Sequence, residues 1–388
     1  MKEFELLKEA GKKISLKRMR TWRWSTSVSS VPKSSIMSMA PIQKPRLGDL
    51  ALVQVVSLGL HKSIEQATGN RLEIFPGTIF VGAFCSRYAM DEFEGLIPES
   101  ITENQECDLL NVGGTLGQVV SVHSFKGEPT RVRILSFLTD NLSRTANTLN
   151  YSKGSDSRVP DTNKKDKTKL IVVTGTSMNS GKSNTAKAII YALTSAGETV
   201  VAGKVTGTSA KKDALLMKSA GAVEICDFVD FGYPSTYMIS SEEVTDLFWK
   251  AFNFLISKVE KATYIVIEIA DGLYQRETEF LLNNQDIRNY ASHYVFSCND
   301  SVGAIAGAKI MEENFNIKVS AISGPSANSE LGIREVAKHL KEVPVFNNMV
   351  VDVPSIANIF LSDKPRSVNA LKRTEGDVSV LPESIVAE

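Results

Sequence analysis

The chain has 388 residues, of which 43% are hydrophobic and 23% are charged; this excludes a single small module, a coiled coil and a disordered chain, and predicts two domains. Lysine plus arginine and aspartate plus glutamate both total 44, so the net charge gives no reason to expect nucleic acid or a membrane as a partner. Four widely spaced cysteines and the lack of a long apolar run predict a cytoplasmic protein.

Residues 1–46 carry most of the charge asymmetry. They hold eleven lysines and arginines against three glutamates, a balance of +8 that leaves −8 for the remainder. We predict a solvated basic arm here. Two alternatives stay open: a transit peptide, and a nucleic-acid contact made by Trp22 and Trp24 among their neighbouring arginines.

Residues 47–140 predict a small β-rich, barrel-like domain. Short runs rich in valine, isoleucine, leucine and phenylalanine, at 50–58, 71–84, 117–122 and 131–138, are separated by turn residues. Residues 141–168 are mostly asparagine, serine, threonine, lysine and aspartate, and we predict an interdomain linker.

Residues 169–350 predict an α/β domain with a doubly wound, mostly parallel sheet. The strand candidates are 170–174, 199–203, 264–269, 294–297 and 318–322, and helical periodicity appears between them. Strands alternating with helices imply right-handed βαβ crossovers. Residues 351–388 are predicted to be a C-terminal tail, loosely held from residue 361 onward.

A phosphate-binding loop is the sharpest motif. It follows the first apolar strand of the α/β domain, opens an amphipathic helix and combines small residues with a Gly-Lys-Ser ending. Consecutive backbone N–H groups and a helix N-terminus can hold phosphate there. The predicted nucleotide-binding residues are Gly175, Thr176, Ser177, Met178, Asn179, Ser180, Gly181, Lys182 and Ser183.

Three residues are candidates for holding Mg²⁺ beside this loop. The hydroxyl of Ser183 is at the position that usually binds the metal. Glu268 ends an apolar strand, from which a carboxylate reaches the metal or its water shell. Asp213 begins a helix after the second strand; its alternative role is an ordinary helix cap.

Residues 169 to about 325 resemble dethiobiotin synthetase and its relatives. The resemblance rests on the Gly-Thr phosphate loop, on the segments 204–208 and 212–215, and on the segment 267–272. It implies ATP and Mg²⁺ as cofactors and transfer of the γ-phosphoryl group to a small carboxylate or carbamate. By resemblance, Lys182, Lys204 and Glu268 are the catalytic residues, and Asp213 and Glu268 help to hold the metal.

Substrate and base contacts are predicted further along the chain. Thr208, Tyr233, Ser235, Thr236 and Arg276 are candidates for binding the substrate, with Arg276 able to clamp a carboxylate or phosphate. The nucleobase is predicted near Asn299, in 298–300, or near 323–325.

Two functions are therefore predicted. The main prediction is a kinase or cyclo-ligase that acts on a small carboxylate or carbamate. The alternative is a P-loop NTPase switch whose β-rich domain binds a macromolecular partner. A homodimer stays open as the assembly.

Overall fold

The computed structural model describes residue 19 and residues 21–101, 104–160, 168–361 and 379–380 of the chain. The chain divides into two compact units. The β-rich unit contains Met1–Ser155, Gly207–Lys212 and Asp227–Ile239, and the α/β unit contains Asp156–Thr206, Asp213–Cys226 and Ser240–Glu388. No helix among the described residues is long and apolar enough to span a membrane.

The β-rich unit contains a closed barrel. Strand β9 (Thr115–Val122) pairs with both β8 (Glu106–Leu109) and β6 (Ile79–Phe84). With β3 (Leu50–Ser57) and β10 (Thr130–Thr139), the ring β6, β3, β10, β8, β9 returns on itself. Alternate residues of these strands point inward and fill the barrel with apolar side chains such as Phe80, Phe84 and Phe137. The strands of this unit are β1 (Arg23–Trp24), β2 (Ser38–Ala40), β3 (Leu50–Ser57), β4 (Ser63–Glu65), β5 (Arg71–Glu73), β6 (Ile79–Phe84), β7 (Phe93–Leu96), β8 (Glu106–Leu109), β9 (Thr115–Val122) and β10 (Thr130–Thr139).

The prediction of a solvated arm over residues 1–46 is wrong for its described part. Strand β1 pairs with β6, and β2 pairs with β10. Trp22 and Trp24 are only 7% and 6% exposed, because they pack in an apolar cluster on the barrel. Burial of these indole rings outweighs the local charge, and it removes them as stacking surfaces for nucleic acid. Residues 1–18 lie outside the described part.

The predicted linker 141–168 is also not free of either unit. Leu50 donates a backbone hydrogen bond to Ala146, and the side chain of Asn147 donates to the carbonyl of Leu47. Further on, Asn253 donates to the carbonyls of Asp156 and Arg158. The predicted linker is therefore hydrogen-bonded to the β-rich unit over its first part and to the α/β unit at Asp156 and Arg158. Residues 161–167 lie outside the described part.

Two segments from the second half of the sequence belong to the β-rich unit. These are 207–212 and 227–239. Within this unit the backbone N–H of Lys211 donates to Glu65, and its ammonium lies 3.0 Å from an oxygen of Asp227. Asn111 donates to the carbonyl of Ser209 at 2.8 Å. Sequence position alone did not predict this membership.

The α/β unit confirms the predicted fold class. Over the described residues its sheet has six strands, which are β11 (Lys169–Gly175), β12 (Val200–Lys204), β13 (Glu224–Asp227), β14 (Tyr264–Glu268), β15 (Ala291–Ser297) and β16 (Ala321–Ser323). Their order in the sheet is β13-β12-β14-β11-β15-β16. The pairings of β11 with β14 and with β15, of β12 with β14, and of β15 with β16 are parallel. The helices are α1 (Lys182–Ser195), α2 (Lys212–Ser219), α3 (Ser241–Lys258), α4 (Arg276–Asn283), α5 (Gln285–Tyr290), α6 (Ser301–Phe315), α7 (Glu330–His339) and α8 (Val353–Leu361).

Local sequence explains why these helices form and what they bury. Helix α3 begins with a capping box, in which the side chain of Ser240 accepts from Glu243 and that of Glu243 accepts from Ser240. In α1 the apolar face predicted from periodicity, including Ile189 and Leu193, is fully buried in the main core cluster. This cluster fixes α1, and with it the end of the loop that precedes the helix.

The predicted C-terminal tail, residues 351–388, begins with a packed helix. Helix α8 places Ile356 and Phe360 in the same core cluster as α1, and Tyr264 donates a hydrogen bond to the carbonyl of Phe360 at 2.9 Å. Strand β17 (Val350–Val351) pairs with β18 (Ser379–Val380). The apolar face of α8 requires burial, which explains why it packs on the sheet. Residues 362–378 and 381–388 lie outside the described part.

Candidate nucleotide-binding site

The loop between β11 and α1 has the backbone geometry of a phosphate-binding loop. Strand β11 ends at Gly175 and α1 begins at Lys182. Asn179 and Gly181 adopt left-handed conformations, with φ of 61° and 89°. A Cβ on Gly181 would also approach Pro325 to 2.9 Å, so glycine is required there on two grounds. Strand, tight loop and helix N-terminus together form a P-loop NTPase fold.

A buried hydrogen-bond relay fixes the second half of this loop. Ser297, at the end of β15, donates to the carbonyl of Ser180 at 2.6 Å and lies 3.2 Å from the hydroxyl of Thr185. The amide of Asn348 donates to that hydroxyl at 3.0 Å and to the carbonyl of Gly181 at 3.3 Å. These hydrogen bonds hold the carbonyls of Ser180 and Gly181 and so fix the conformation of this part of the loop.

Lys182 is buried in the phosphate loop. Its residue surface is 6% exposed, and its ammonium donates to the carbonyl of Ser177 at 2.7 Å. Burial lowers the pKa of Lys182, and the nearby carboxylates of Asp271 and Glu268 partly oppose that shift. The ammonium is therefore held against the loop with little water around it.

Glu268 lies beside the start of α1, as its position in the sheet requires. It is the register partner of Val173 on β11 and of Lys204 on β12. The hydroxyl of Ser183 donates to its Oε1 at 3.2 Å, whereas its Oε2 is buried without a partner among the described residues. Burial raises the pKa of Glu268, and Lys204 lowers it in part. An unpaired buried carboxylate oxygen is costly unless a cation or donor reaches it.

Lys204 connects the two predicted metal-binding carboxylates. Its ammonium forms an ion pair with Asp213 at the start of α2, and it lies 3.4 Å from Oε1 of Glu268. Although burial alone would lower the pKa of Lys204, the carboxylates of Asp213 and Glu268 raise it above its ordinary value. The ammonium is therefore firmly charged.

The donor set at this position fits a magnesium ion. Mg²⁺ prefers hard oxygen ligands and is commonly held by one or two carboxylates together with nucleotide phosphates. Ser183, Asp213 and Glu268 offer a hydroxyl and two carboxylates, and the unpartnered Oε2 of Glu268 is an oxygen available for coordination.

Two backbone segments press against the phosphate loop from the carboxyl edge of the sheet. A Cβ on Gly272 would lie 2.3 Å from the carbonyl oxygen of Thr176, so the chain after Glu268 touches the loop directly. Gly324 also approaches the loop, because a Cβ there would lie 2.7 Å from the carbonyl oxygen of Ser180. Of the two predicted base-binding stretches, 323–325 thus contacts the loop. Asn299 is exposed just after β15.

The predicted substrate residues fall in different units. Thr208, Ser235 and Thr236 come together in the β-rich unit through a short antiparallel pairing. Ser235 and Thr236 are 0% and 2% exposed, and the hydroxyl of Thr236 accepts from the backbone of Gly207. These two side chains therefore have structural roles in this conformation.

Tyr233 and Arg276 complete that set. Tyr233 is half-buried in the β-rich unit, where its backbone N–H donates to the carbonyl of Phe228. Arg276 lies in the α/β unit, where it pairs with Glu277 at 2.7 Å and stacks over the ring of Phe280. In this conformation its guanidinium is engaged by its own helix.

The relay residues Thr185, Ser297 and Asn348 were not predicted from the sequence. A usable signal existed for Asn348, because an apolar run at 343–346 is followed by two asparagines. Val345 bridges to Ile322 in a parallel sense, so this run ends at the same sheet edge as the other site residues. A polar side chain directly after a buried strand at that edge is a candidate for the site.

The sequence matches no protein-family model and no curated protein. Similar solved structures are known. The signal recognition particle receptor FtsY from Elizabethkingia anophelis, in complex with GDP, has 15% identity and a TM-score of 0.34; the alignment covers 51% of this chain and 61% of that one. FtsY from Thermotoga maritima has 16% identity and a TM-score of 0.35, with coverage of 56% and 75%.

HypB from Helicobacter pylori, in complex with nickel, has 14% identity and a TM-score of 0.32; the alignment covers 50% of this chain and 84% of that one. At these identities and TM-scores, none of these likenesses carries an argument about the fold or the function of this chain. The narrower resemblance to dethiobiotin synthetase has no support from these comparisons.

Proposed function

We propose that this protein is a Mg²⁺-dependent P-loop NTPase that binds a nucleoside triphosphate in its α/β unit and hydrolyses it. The observation that carries this proposal is the arrangement at the start of α1. Lys182 is buried in the loop, and Ser183 contacts Glu268, whose second oxygen has no partner among the described residues. Each of these groups has a task in phosphoryl transfer.

The residues of the loop bind and orient the phosphates. Backbone N–H groups of the loop and the N-terminus of α1 would donate to phosphate oxygens, and Lys182 would supply a positive charge; the N–H of Thr176 instead donates to the carbonyl of Ser297. Ser183, Asp213 and Glu268 hold the metal, directly or through its water shell. When bound, Mg²⁺ neutralises the charge that develops on the transferred group.

A second candidate is transfer of the γ-phosphoryl group to a small carboxylate or carbamate. Lys204 favours this transfer reaction. Its ammonium, in addition to that of Lys182, would offset the charge of an anionic acceptor. Such an acceptor is already a nucleophile and needs no catalytic base. Hydrolysis and transfer share the loop and the metal ligands and differ only in the acceptor.

Nucleotide binding by the full-length protein tests the proposal. ATP and GTP are titrated separately in the presence of Mg²⁺, and their binding is measured by calorimetry. Lys182→Ala should weaken binding of the preferred nucleotide by roughly 100-fold, since it removes charge-assisted hydrogen bonds to phosphate. Lys309→Ala is the matched control, because Lys309 is a solvent-exposed lysine on α6.

Unchanged affinity in Lys182→Ala, with the fold intact by circular dichroism, would refute the phosphate-loop assignment. Turnover then separates the two candidates. Steady release of phosphate from the protein alone supports the NTPase, whereas turnover that requires an added carboxylate, or a diamine with bicarbonate, supports phosphoryl transfer to a small acid. A macromolecular partner that accelerates hydrolysis would support a switch.

A further inference from the structure

The space between the two proposed metal-binding carboxylates is occupied by a lysine ammonium. Lys204 forms an ion pair with Asp213 and lies 3.4 Å from Oε1 of Glu268. The three side chains are 14%, 21% and 1% exposed, so little solvent separates them. The ammonium thus occupies the position between the acids to which a metal ion would be drawn.

The sheet explains why this contact is built into the fold. Lys204 and Glu268 are register partners at the carboxyl ends of the adjacent parallel strands β12 and β14. Asp213 is in the first turn of α2, close along the chain to the end of β12. Two carboxylates brought together with little water repel each other, and a buried acid pair needs a cation to stay ionised. Lys204 supplies that cation.

A divalent ion and the ammonium compete for this position. Mg²⁺ requires oxygen ligands at about 2.0–2.1 Å, and each carboxylate oxygen that pairs with Lys204 is less able to pair with the metal. Like charges a few ångströms apart in a partly buried site also repel each other strongly. Asp213 and Glu268 are therefore neutralised either by Lys204 or by the metal, and not by both at once.

We propose that Lys204 is a built-in counter-ion that holds Asp213 and Glu268 until a nucleotide-bound metal replaces it, so that this protein binds Mg²⁺ only together with nucleotide. The proposal rests on the proposed function. Exchange proceeds because the phosphates offer Lys204 a new anionic partner while the metal takes the carboxylates. Without nucleotide, Asp213 and Glu268 pair with Lys204. With nucleotide and metal bound, Lys204 pairs with the phosphates and the metal pairs with the two carboxylates.

The charges near the loop show what removal of Lys204 would do. Lys182 and Lys204 face the carboxylates of Asp213, Glu268 and Asp271. This cluster has a net charge of −1 with Lys204 and −2 without it. Removing the ammonium leaves an oxygen-rich, negatively charged position, which is what a divalent cation requires.

Manganese binding without nucleotide tests the proposal. Mn²⁺ substitutes for Mg²⁺ at oxygen sites, and the electron paramagnetic resonance signal of free Mn²⁺ disappears when the ion binds. Wild-type protein should show weak binding at this position. Lys204→Met, which keeps length and removes charge, should bind one Mn²⁺ at least tenfold more tightly, which corresponds to about 1.4 kcal/mol. Lys204→Arg should behave as wild type.

The double variant Lys204→Met with Glu268→Gln should lose the gained site, which assigns it to these carboxylates. Lys309→Met, on the surface of α6, should not change Mn²⁺ binding. Lys204→Gln replaces Lys204→Met if the latter does not fold by circular dichroism. Equal Mn²⁺ affinity in wild type and both neutral variants would overturn the counter-ion proposal, as would a gained site that survives Glu268→Gln.

The proposed function is judged by a separate measurement. Binding of nucleotide with Mg²⁺ to wild-type protein decides it, whatever Mn²⁺ does alone. If wild-type protein binds nucleotide but Lys204→Met gains no metal site, the NTPase proposal stands and the counter-ion proposal is overturned. In wild type, addition of nucleotide should tighten Mn²⁺ binding far more than in Lys204→Met; equal tightening in the two proteins would also overturn the proposal.

Discussion

The contact between Gly272 and the phosphate loop gives a sharp prediction for nucleotide affinity. A Cβ at Gly272 would lie 2.3 Å from the carbonyl oxygen of Thr176 and 2.9 Å from its carbonyl carbon. Ordinary contact begins at 3.4 Å, so in Gly272→Ala the separation must grow by 1.1 Å, which is 3.4 minus 2.3. Both partners are backbone, and no side-chain rotation relieves the clash.

The size of the effect follows from the geometry of hydrogen bonds. A loop that retreats by about 1 Å lengthens a normal N–H···O contact of about 2.9 Å beyond its useful range. Each hydrogen bond to a charged group contributes about 1.5–3 kcal/mol, and overpacking in a well-packed region costs about 1–3 kcal/mol. Loss of one phosphate contact therefore predicts nucleotide binding weakened by roughly 10- to 150-fold.

Gly303→Ala is the matched control. Its Cβ would also approach the loop, but it would meet the side-chain methyl of Thr176 at 3.3 Å, and that methyl can shift. Gly303 lies in helix α6, where alanine is favoured over glycine by roughly 0.5–1 kcal/mol. We expect unchanged affinity and a slightly higher melting temperature.

The assay is calorimetric titration of each folded variant with the preferred nucleotide and Mg²⁺. If Gly272→Ala binds within twofold of wild type and melts at the same temperature, the close approach of this segment to the loop is refuted. If Gly303→Ala loses as much affinity as Gly272→Ala, the distinction between backbone and side-chain contacts is refuted.

Two further predictions concern the relay and a buried histidine. Asn348→Ala removes two hydrogen bonds to the loop and α1 and should weaken nucleotide binding by roughly 5- to 30-fold; an affinity equal to wild type in calorimetry would contradict the role of the relay. Burial, together with Arg87, lowers the pKa of His61 to about 4 from 6.5, so the unfolded chain binds more protons between these values. Its contribution to stability, on the order of 3 kcal/mol, should be present above pH 6.5 and lost as the pH falls towards 4. Urea unfolding at pH 7 and pH 5 should show a smaller difference for His61→Gln, which can keep the hydrogen bond to Leu110; an equal difference would show that another group is responsible.

Local patterns in the sequence were sufficient for five of the six strands of the α/β sheet. The apolar runs that predict β11, β12, β14, β15 and β16 are buried strands, and the structure has each of them near its predicted position. Buried parallel strands appear in a sequence as continuous runs of β-branched residues. The helices between them show apolar residues at the helical period of 3.6 residues. The phosphate loop is equally local, since its small residues, lysine and serine are contiguous in the chain.

Long-range pairing decided what the sequence predicted wrongly. Residues 19–46 resemble a basic arm in composition, yet Trp24 is buried because β1 finds an edge of the barrel at β6. Segments 207–212 and 227–239 belong to the β-rich unit through contacts such as Lys211 with Glu65. Their partners are distant in sequence, so no local pattern predicts them.

The sequence by itself determined five strands of the α/β sheet and the motif of the phosphate loop, because both depend on side chains a few positions apart. Only the tertiary structure decided which charges face each other. Lys204 pairs with Glu268 through the register of β12 and β14, and Asn348 reaches Gly181 across 167 positions. Electrostatic and hydrogen-bond energies depend on distances of a few ångströms, and the packing of the sheet sets those distances.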